Sequence, residues 1–154
     1  MTSIHDRFLA KITKSDTCWL WTAAKDDDGY GFFKIADVQY RAHRVAYALY
    51  VGAIPDGLEV DHRCHTTSCV NPGHLRLATG KQNRENLRGA RTNSASGVRG
   101  VSWHKAAKRW QAQVKHNGKA IHLGYFDRVA DAAEAARQKR LELFTHNEID
   151  MVAV

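Results

Sequence analysis

Cys64, Cys69 and His74 recur as Cys-x4-Cys-x4-His inside the stretch DHRCHTTSCVNPGHLRLATGKQNREN, and nothing else in the chain restricts its fold as strongly. Two thiols and an imidazole at such short loop spacing are the soft and borderline donors of a tetrahedral zinc site. Such a site takes four ligands, and the chain has one other cysteine, Cys18. Cys18 is therefore expected to come back and close a Cys3His site around one structural zinc ion. An odd total of three cysteines, two of them close together, reads as metal ligation rather than as a disulfide framework.

The local order around this loop is strand, metal loop, strand, helix. Leu58-Glu59-Val60 is a short strand delivering Asp61 and His62, Leu75-Arg76-Leu77 is the second strand, and Thr79-x-x-Gln82 is a capping box opening a helix to about Leu87. A loop fixed at Cys64 would hold His62 at a defined place outside the zinc shell. A neutral imidazole there suits a general base that takes a proton from water attacking phosphorus. Asn83, one turn into the following helix, offers a carbonyl oxygen suited to a hard cation such as Mg2+ or Mn2+. The plainer reading is a zinc knuckle that only braces a DNA-binding fold, which would make the protein a non-catalytic regulator.

Upstream, residues 2–14 read as an amphipathic helix capped by Ser3, with Ile4, Phe8, Leu9 and Ile12 on one face. Residues 18–40 read as a hairpin of Cys18–Trp21 and Tyr30–Ile35 around an Asp-rich turn, with Asp26 to Asp28 as a solvated loop. Residues 41–51 read as a helix whose inner stripe is Val45, Ala48 and Leu49.

Charge divides the chain. Residues 1–90 hold 12 Lys and Arg against 10 Asp and Glu, whereas residues 91–154 hold 11 against 6. No acidic residue occurs between Glu85 and Asp127, an interval with eight cations interleaved with Trp103 and Trp110, as expected of a nucleic-acid footprint. Residues 88–97, RGARTNSASG, read as a basic linker. Three strands follow at 98–103, 110–116 and 119–124, with Asn117-Gly118 as a hairpin turn, and then a helix from Val129 to Phe144. No apolar run reaches membrane-spanning length, and the first fourteen residues lack the pattern of a signal peptide, so an intracellular, DNA-associated location is expected.

The combination His62-x-Cys64-x4-Cys69-x-Asn71-Pro72-x-His74-Leu75 followed by Asn83, with Cys18-Trp19-x-Trp21, Tyr30-Gly31 and His43-Arg44-Val45-Ala46-Tyr47 before it, resembles the HNH nucleases of the ββα-metal class. Within that class it is most similar to the His-Cys box homing endonucleases and the phage and bacterial proteins related to them. The resemblance implies a metal-dependent endonuclease with His62 as general base, Asn83 on a single catalytic Mg2+, and zinc on Cys18, Cys64, Cys69 and His74. It also implies an arginine at the scissile phosphate, for which Arg41 is the first candidate and Arg44 the second.

A second resemblance covers residues 97–144. Gly97-Val98-Arg99-Gly100-Val101-x-Trp103, Arg109-Trp110-x-Ala112, His122-Leu123-Gly124-Tyr125-Phe126 and Ala132-Ala133 resemble the Apetala/ethylene-response-factor DNA-binding domain. That domain lays a three-stranded antiparallel sheet in the major groove with one helix behind. Alternation puts Arg109, Gln111, Gln113 and Lys115 on one face of their strand, residue types suited to base edges and phosphate. The resemblance adds Arg99, Ser102, His104 and His122 as positions that touch DNA.

The expected fold is α+β: a zinc-braced HNH core at 1–87, a linker at 88–97, a sheet-plus-helix module at 98–146 and a tail at 147–154. The expected partner is double-stranded DNA. The sequence is compatible with a monomer and with a homodimer.

Overall fold

The structure, a computed structural model, describes residues 2–152 and divides into two compact units, Met1–Arg84 and Glu85–Val154. In the first unit, helix α1 (Ile4–Leu9) starts where the Ser3 hydroxyl accepts a bond from the Asp6 amide at 3.1 Å. It is shorter than the sequence pattern predicts. Residues Ile12–Lys14 leave it to form strand β1, which pairs antiparallel with β2 (Trp19–Trp21). The apolar periodicity of residues 4–12 is therefore split between a helix face and a strand. Phe8, Trp21 and Phe33 bury completely and meet at centroid distances of 5.2 to 5.9 Å.

The predicted hairpin of residues 18–40 exchanges its partner. Strand β3 (Phe32–Ile35) pairs with β4 (Val38–Arg41) through a turn in which Ala36 takes φ 50°. The Asp-rich segment closes only one isolated bridge, Lys25 to Gly31. Gly31 is required by close approach, since a Cβ there would lie 2.4 Å from the Trp21 ring. Helix α2 (Ala42–Tyr50) buries Ala42, His43, Val45, Ala46 and Tyr47. Val45 lies on the inner stripe as expected, whereas Ala48 and Leu49 are exposed and Ala42, His43 and Ala46 take the buried positions.

The metal loop lies between β5 (Glu59–His62) and β6 (Leu75–Ala78), an antiparallel pair in the register Asp61 to Arg76 and His62 to Leu75. Helix α3 (Gly80–Glu85) follows, opened by the expected capping box: the Thr79 amide donates to Gln82 Oε1 at 2.8 Å and the Gln82 amide to Thr79 Oγ1 at 3.3 Å.

In the second unit, β7 (Val101–His104), β8 (Arg109–His116) and β9 (Lys119–Phe126) form an antiparallel sheet in that order. Asn117 and Gly118, at φ 48° and 78°, make the turn between the long strands. Helix α4 (Val129–Leu143) covers the sheet, with Ala132 and Ala136 fully buried against Val101, Ala112 and Val114. The expected tail instead forms helix α5 (Glu148–Val152). Asp150 on α5 accepts two bonds from the Arg140 guanidinium, at 2.6 and 2.8 Å, with both side chains buried. The unit also takes in Glu85 and Asn86. Glu85 accepts from the Thr145 amide and Asn86 from the Glu148 amide, both at 3.2 Å.

Candidate metal centre and nuclease site

Strand β2 explains how a distant cysteine reaches the loop. Its edge pairs with residues 68–70, through Trp21 N–H to the Ser68 carbonyl at 2.9 Å and Val70 N–H to the Trp19 carbonyl at 2.8 Å. That pairing carries Cys18 to the loop. Asn71 adds a second tie, donating to the Thr17 carbonyl at 2.7 Å while its Oδ1 accepts from the Gly73 amide at 3.0 Å and caps the 3-10 turn Pro72–His74.

The donor atoms of Cys18, Cys64, Cys69 and His74 all lie within 4.8 Å of one another. Cys18 Sγ and Cys69 Sγ each stand 3.6 Å from His74 Nδ1. Tetrahedral zinc with ordinary Zn–S and Zn–N bonds would separate such atoms by about 3.6 Å, so the cluster is compatible with one zinc ion. The chemistry of the thiols agrees. The Cys64 and Cys69 thiols interact, which draws the Cys64 thiol down and pushes the Cys69 thiol up, and a zinc ion on the cluster would hold both as thiolates.

His62 is buried beside this cluster. Its Nε2 lies 2.9 Å from the carbonyl oxygen of Cys69, which can only accept, so Nε2 carries the proton and Nδ1 holds the lone pair. A member of the Cys/His cluster thus also sets the tautomer of His62. Burial lowers the basicity of His62, and the Cys69 carbonyl opposes that effect. The ring sits in an aromatic cage, 4.8 Å from His43 and 5.9 Å from Tyr30 between centroids.

Asn83 stands on α3, where its Nδ2 donates to the Glu59 carboxylate. This bond turns Oδ1 into the atom available to a cation. Arg41, at the end of β4, lies on the Tyr30 side of the His62 ring, with its guanidinium 5.2 Å from the Tyr30 ring and paired to Asp26. Asp26 is therefore an organising residue rather than a solvated one: it accepts from the Tyr30 amide at 2.8 Å, and Arg41 holds its carboxyl below the usual range. Arg44, partly buried on α2, raises the positive potential at His43.

Sequence reasoning passed over His43, Tyr30, Glu59 and Asp61 as site residues. Asp61 is buried and meets the Arg76 guanidinium through Nε and Nη2, each at 3.0 Å. A carboxylate next to His62 in a strand otherwise buried was the available signal. For His43 and Tyr30 the signal was their place in the motifs His43-Arg44-Val45-Ala46-Tyr47 and Tyr30-Gly31, to which no role was attached.

In the second unit, Ser102 lies opposite Gln111, His104 opposite Arg109, and His122 opposite Gln113, which gathers these residues on the sheet. Gln111 Nε2 lies 3.2 Å from His122 Nδ1, and Tyr125 packs 4.9 Å from both His104 and His122. Arg99 does not join them. Its guanidinium donates to the carbonyls of Glu85 at 2.8 Å and Leu87 at 3.2 Å, lies over the Phe144 ring, and has its charge disfavoured by burial. The reason is position: Arg99 precedes the first strand, outside the alternation that sorts the two faces.

These two units match two family models in the same order, an HNH endonuclease domain over residues 40–88 and an AP2 domain over residues 96–146. The chain belongs to the HNH endonuclease family and carries an AP2-type DNA-binding domain after its HNH domain. Among curated proteins it is similar to Protein 3.8 of Escherichia phage T7, at 33% identity over 65% of this chain and 82% of that protein. It is also similar to Protein 2.8 (35% identity, 54% of this chain, 59% of that protein) and Protein 7.7 (33%, 47% and 55%) of the same phage. The chain thus spans little more than half the length of the latter two. No solved structure matches it. No helix among the described residues is long and apolar enough to cross a membrane.

Proposed function

We propose that this protein is a phage-encoded DNA endonuclease that hydrolyses phosphodiester bonds in double-stranded DNA, with His62 as general base. The observation that carries the reading is the bond between His62 Nε2 and the Cys69 carbonyl, which leaves Nδ1 as the basic nitrogen on a zinc-braced scaffold. Burial favours the neutral form of His62, the state a base requires.

Asn83 Oδ1, with Glu59 behind its amide, is a hard-oxygen donor set that fits Mg2+ or Mn2+. Bound there, such a cation would stabilise charge on the leaving oxygen. Arg41 is assigned to the phosphate, held over Tyr30 at the edge of the His62 cage. The three-stranded sheet supplies affinity for the target. Ser102, His104, Arg109, Gln111, Gln113, Lys115 and His122 present donors and acceptors suited to base edges and phosphates. Arg99 serves this surface indirectly, by fixing the segment that enters β7. The functional stretch is thus 2–84 for cutting and the sheet of the second unit for binding, with residues 88–97 between them as a basic tether. The protein is expected to act where DNA is, and either as a monomer or as a homodimer.

The test is a plasmid nicking assay with Mg2+ or Mn2+, comparing wild type with Asn83→Ala. Cleavage that vanishes with chelator and falls at least a hundredfold in Asn83→Ala supports the assignment. Binding of duplex DNA without any cleavage would favour a non-catalytic regulator.

A further inference from the structure

His43 is 7% exposed and its Nδ1 has no hydrogen-bond partner among the described residues. A buried polar atom left without a partner is destabilising, so a residue serving only to fill space would be better apolar. His43 is not placed at random. Its ring lies 4.8 Å from that of His62 and 5.4 Å from that of Tyr30, and Tyr30 in turn lies 5.9 Å from His62. His43 and Tyr30 thus flank the His62 ring. We infer that His43 is a positioning residue for cleavage: its imidazole sets the orientation of the His62 ring against which it packs, and its Nδ1 is held for a hydrogen-bond partner that the site gains when DNA binds. This rests on the reading of His62 as the base.

Uncharged is the only state the surroundings allow. Burial, His62 and the Arg44 and Arg41 guanidinium groups push His43 down to about 3. It therefore cannot compete with His62 for the proton, and acts by orientation. Helix α2 fixes it from outside the metal loop, so a change at His43 need not disturb the zinc ligands.

Two substitutions separate orientation from packing. His43→Phe keeps a ring and removes both nitrogens, whereas His43→Asn keeps a polar atom near the place of Nδ1. Plasmid cleavage by the full chain is measured with zinc content, melting temperature and DNA affinity. The expected result is a kcat at least tenfold lower in His43→Phe with KM, zinc content and folding near wild type, and partial recovery of kcat in His43→Asn. If Phe proves too large for the cage, His43→Leu carries the same comparison. A folded, zinc-loaded Phe or Leu variant that cleaves at the wild-type rate, while His62→Ala does not cleave, overturns the role of His43 alone. Absence of cleavage by wild type overturns it together with the nuclease reading.

Discussion

The two units reach a folded state by different means. The first is assembled from two-stranded pairs of three or four residues and a helix of nine, tied together by loops that converge on Cys18, Cys64, Cys69 and His74. The second has two eight-residue strands, a fifteen-residue helix and a buried Arg140–Asp150 ion pair. The first unit has a core around Phe8, Trp21 and Phe33, and a zinc ion on its Cys/His cluster would add a cross-link between Cys18 and the 64–74 loop. The second unit carries its own core. On the proposed reading, a metal cross-link adds to packing in the unit that cuts, whereas packing and an ion pair hold the unit that binds.

Zinc removal tests this division with the largest effect. Chelation, or Cys69→Ser, is expected to unfold the first unit, since structural zinc contributes on the order of 10 kcal/mol. Amide signals of residues 101–143 should persist while those of residues 19–78 collapse. Loss of both sets at once would contradict that division.

Next in size is the buried pair of the second unit. Arg140→Met leaves the Asp150 carboxylate buried and unpaired and should cost about 3–5 kcal/mol, confined to the second unit and measured by denaturant unfolding of full-length protein. An equal loss in the first unit's transition would break the comparison.

Acid sharpens the contrast further. His43 in the folded state titrates at about 3, below its ordinary 6.5. The unfolded chain therefore takes up the proton first, and the first unit should lose stability as pH falls below 6.5, by up to about 1.4 kcal/mol per pH unit. Burial raises the Asp150 carboxyl, but bonds from Arg140 and Asn147 outweigh it and hold the group below its ordinary 3.8. Stability from that pair is present above pH 3.8 and is lost only as pH falls beneath it. Thermal melts between pH 7 and 4 should move the first unit and spare the second. His43→Asn should flatten the slope at constant zinc content.

The smallest effect lies on the sheet surface. Arg109 is half exposed and pairs with exposed Asp127 at 3.0 Å, so Arg109→Ala should leave stability within about 0.5 kcal/mol. DNA affinity should fall and the salt dependence of binding should lose about one unit of slope. An unchanged slope would remove Arg109 from the DNA face.

Much of this was legible in the sequence where the signal was local. The ligand spacing of the metal loop, the Thr79–Gln82 box, the Asn117-Gly118 turn and the alternation along residues 109–115 each act over a few residues. What escaped was set by partners distant in the chain. Strand β2 pairs with β1 and the zinc loop instead of with β3, because residues 12–14 and 68–70 offer it two free edges. Helix α5 (Glu148–Val152) was missed because its anchor is distant in sequence: Asp150 supplies the counter-charge to Arg140, buried on α4. Arg99 turns inward for carbonyls that only the folded segment presents. The His43–Tyr30–His62 cage joins three separate elements, which no periodicity reports.

The central claim is that a zinc-braced loop holds His62 as the base of a DNA-cutting site. It is tested most directly by cleavage of duplex DNA with wild type and His62→Ala at matched zinc content and DNA affinity. The account predicts cleavage by wild type and a loss of at least roughly a hundredfold in the variant. A zinc-loaded His62→Ala protein that cuts DNA at the wild-type rate would contradict it.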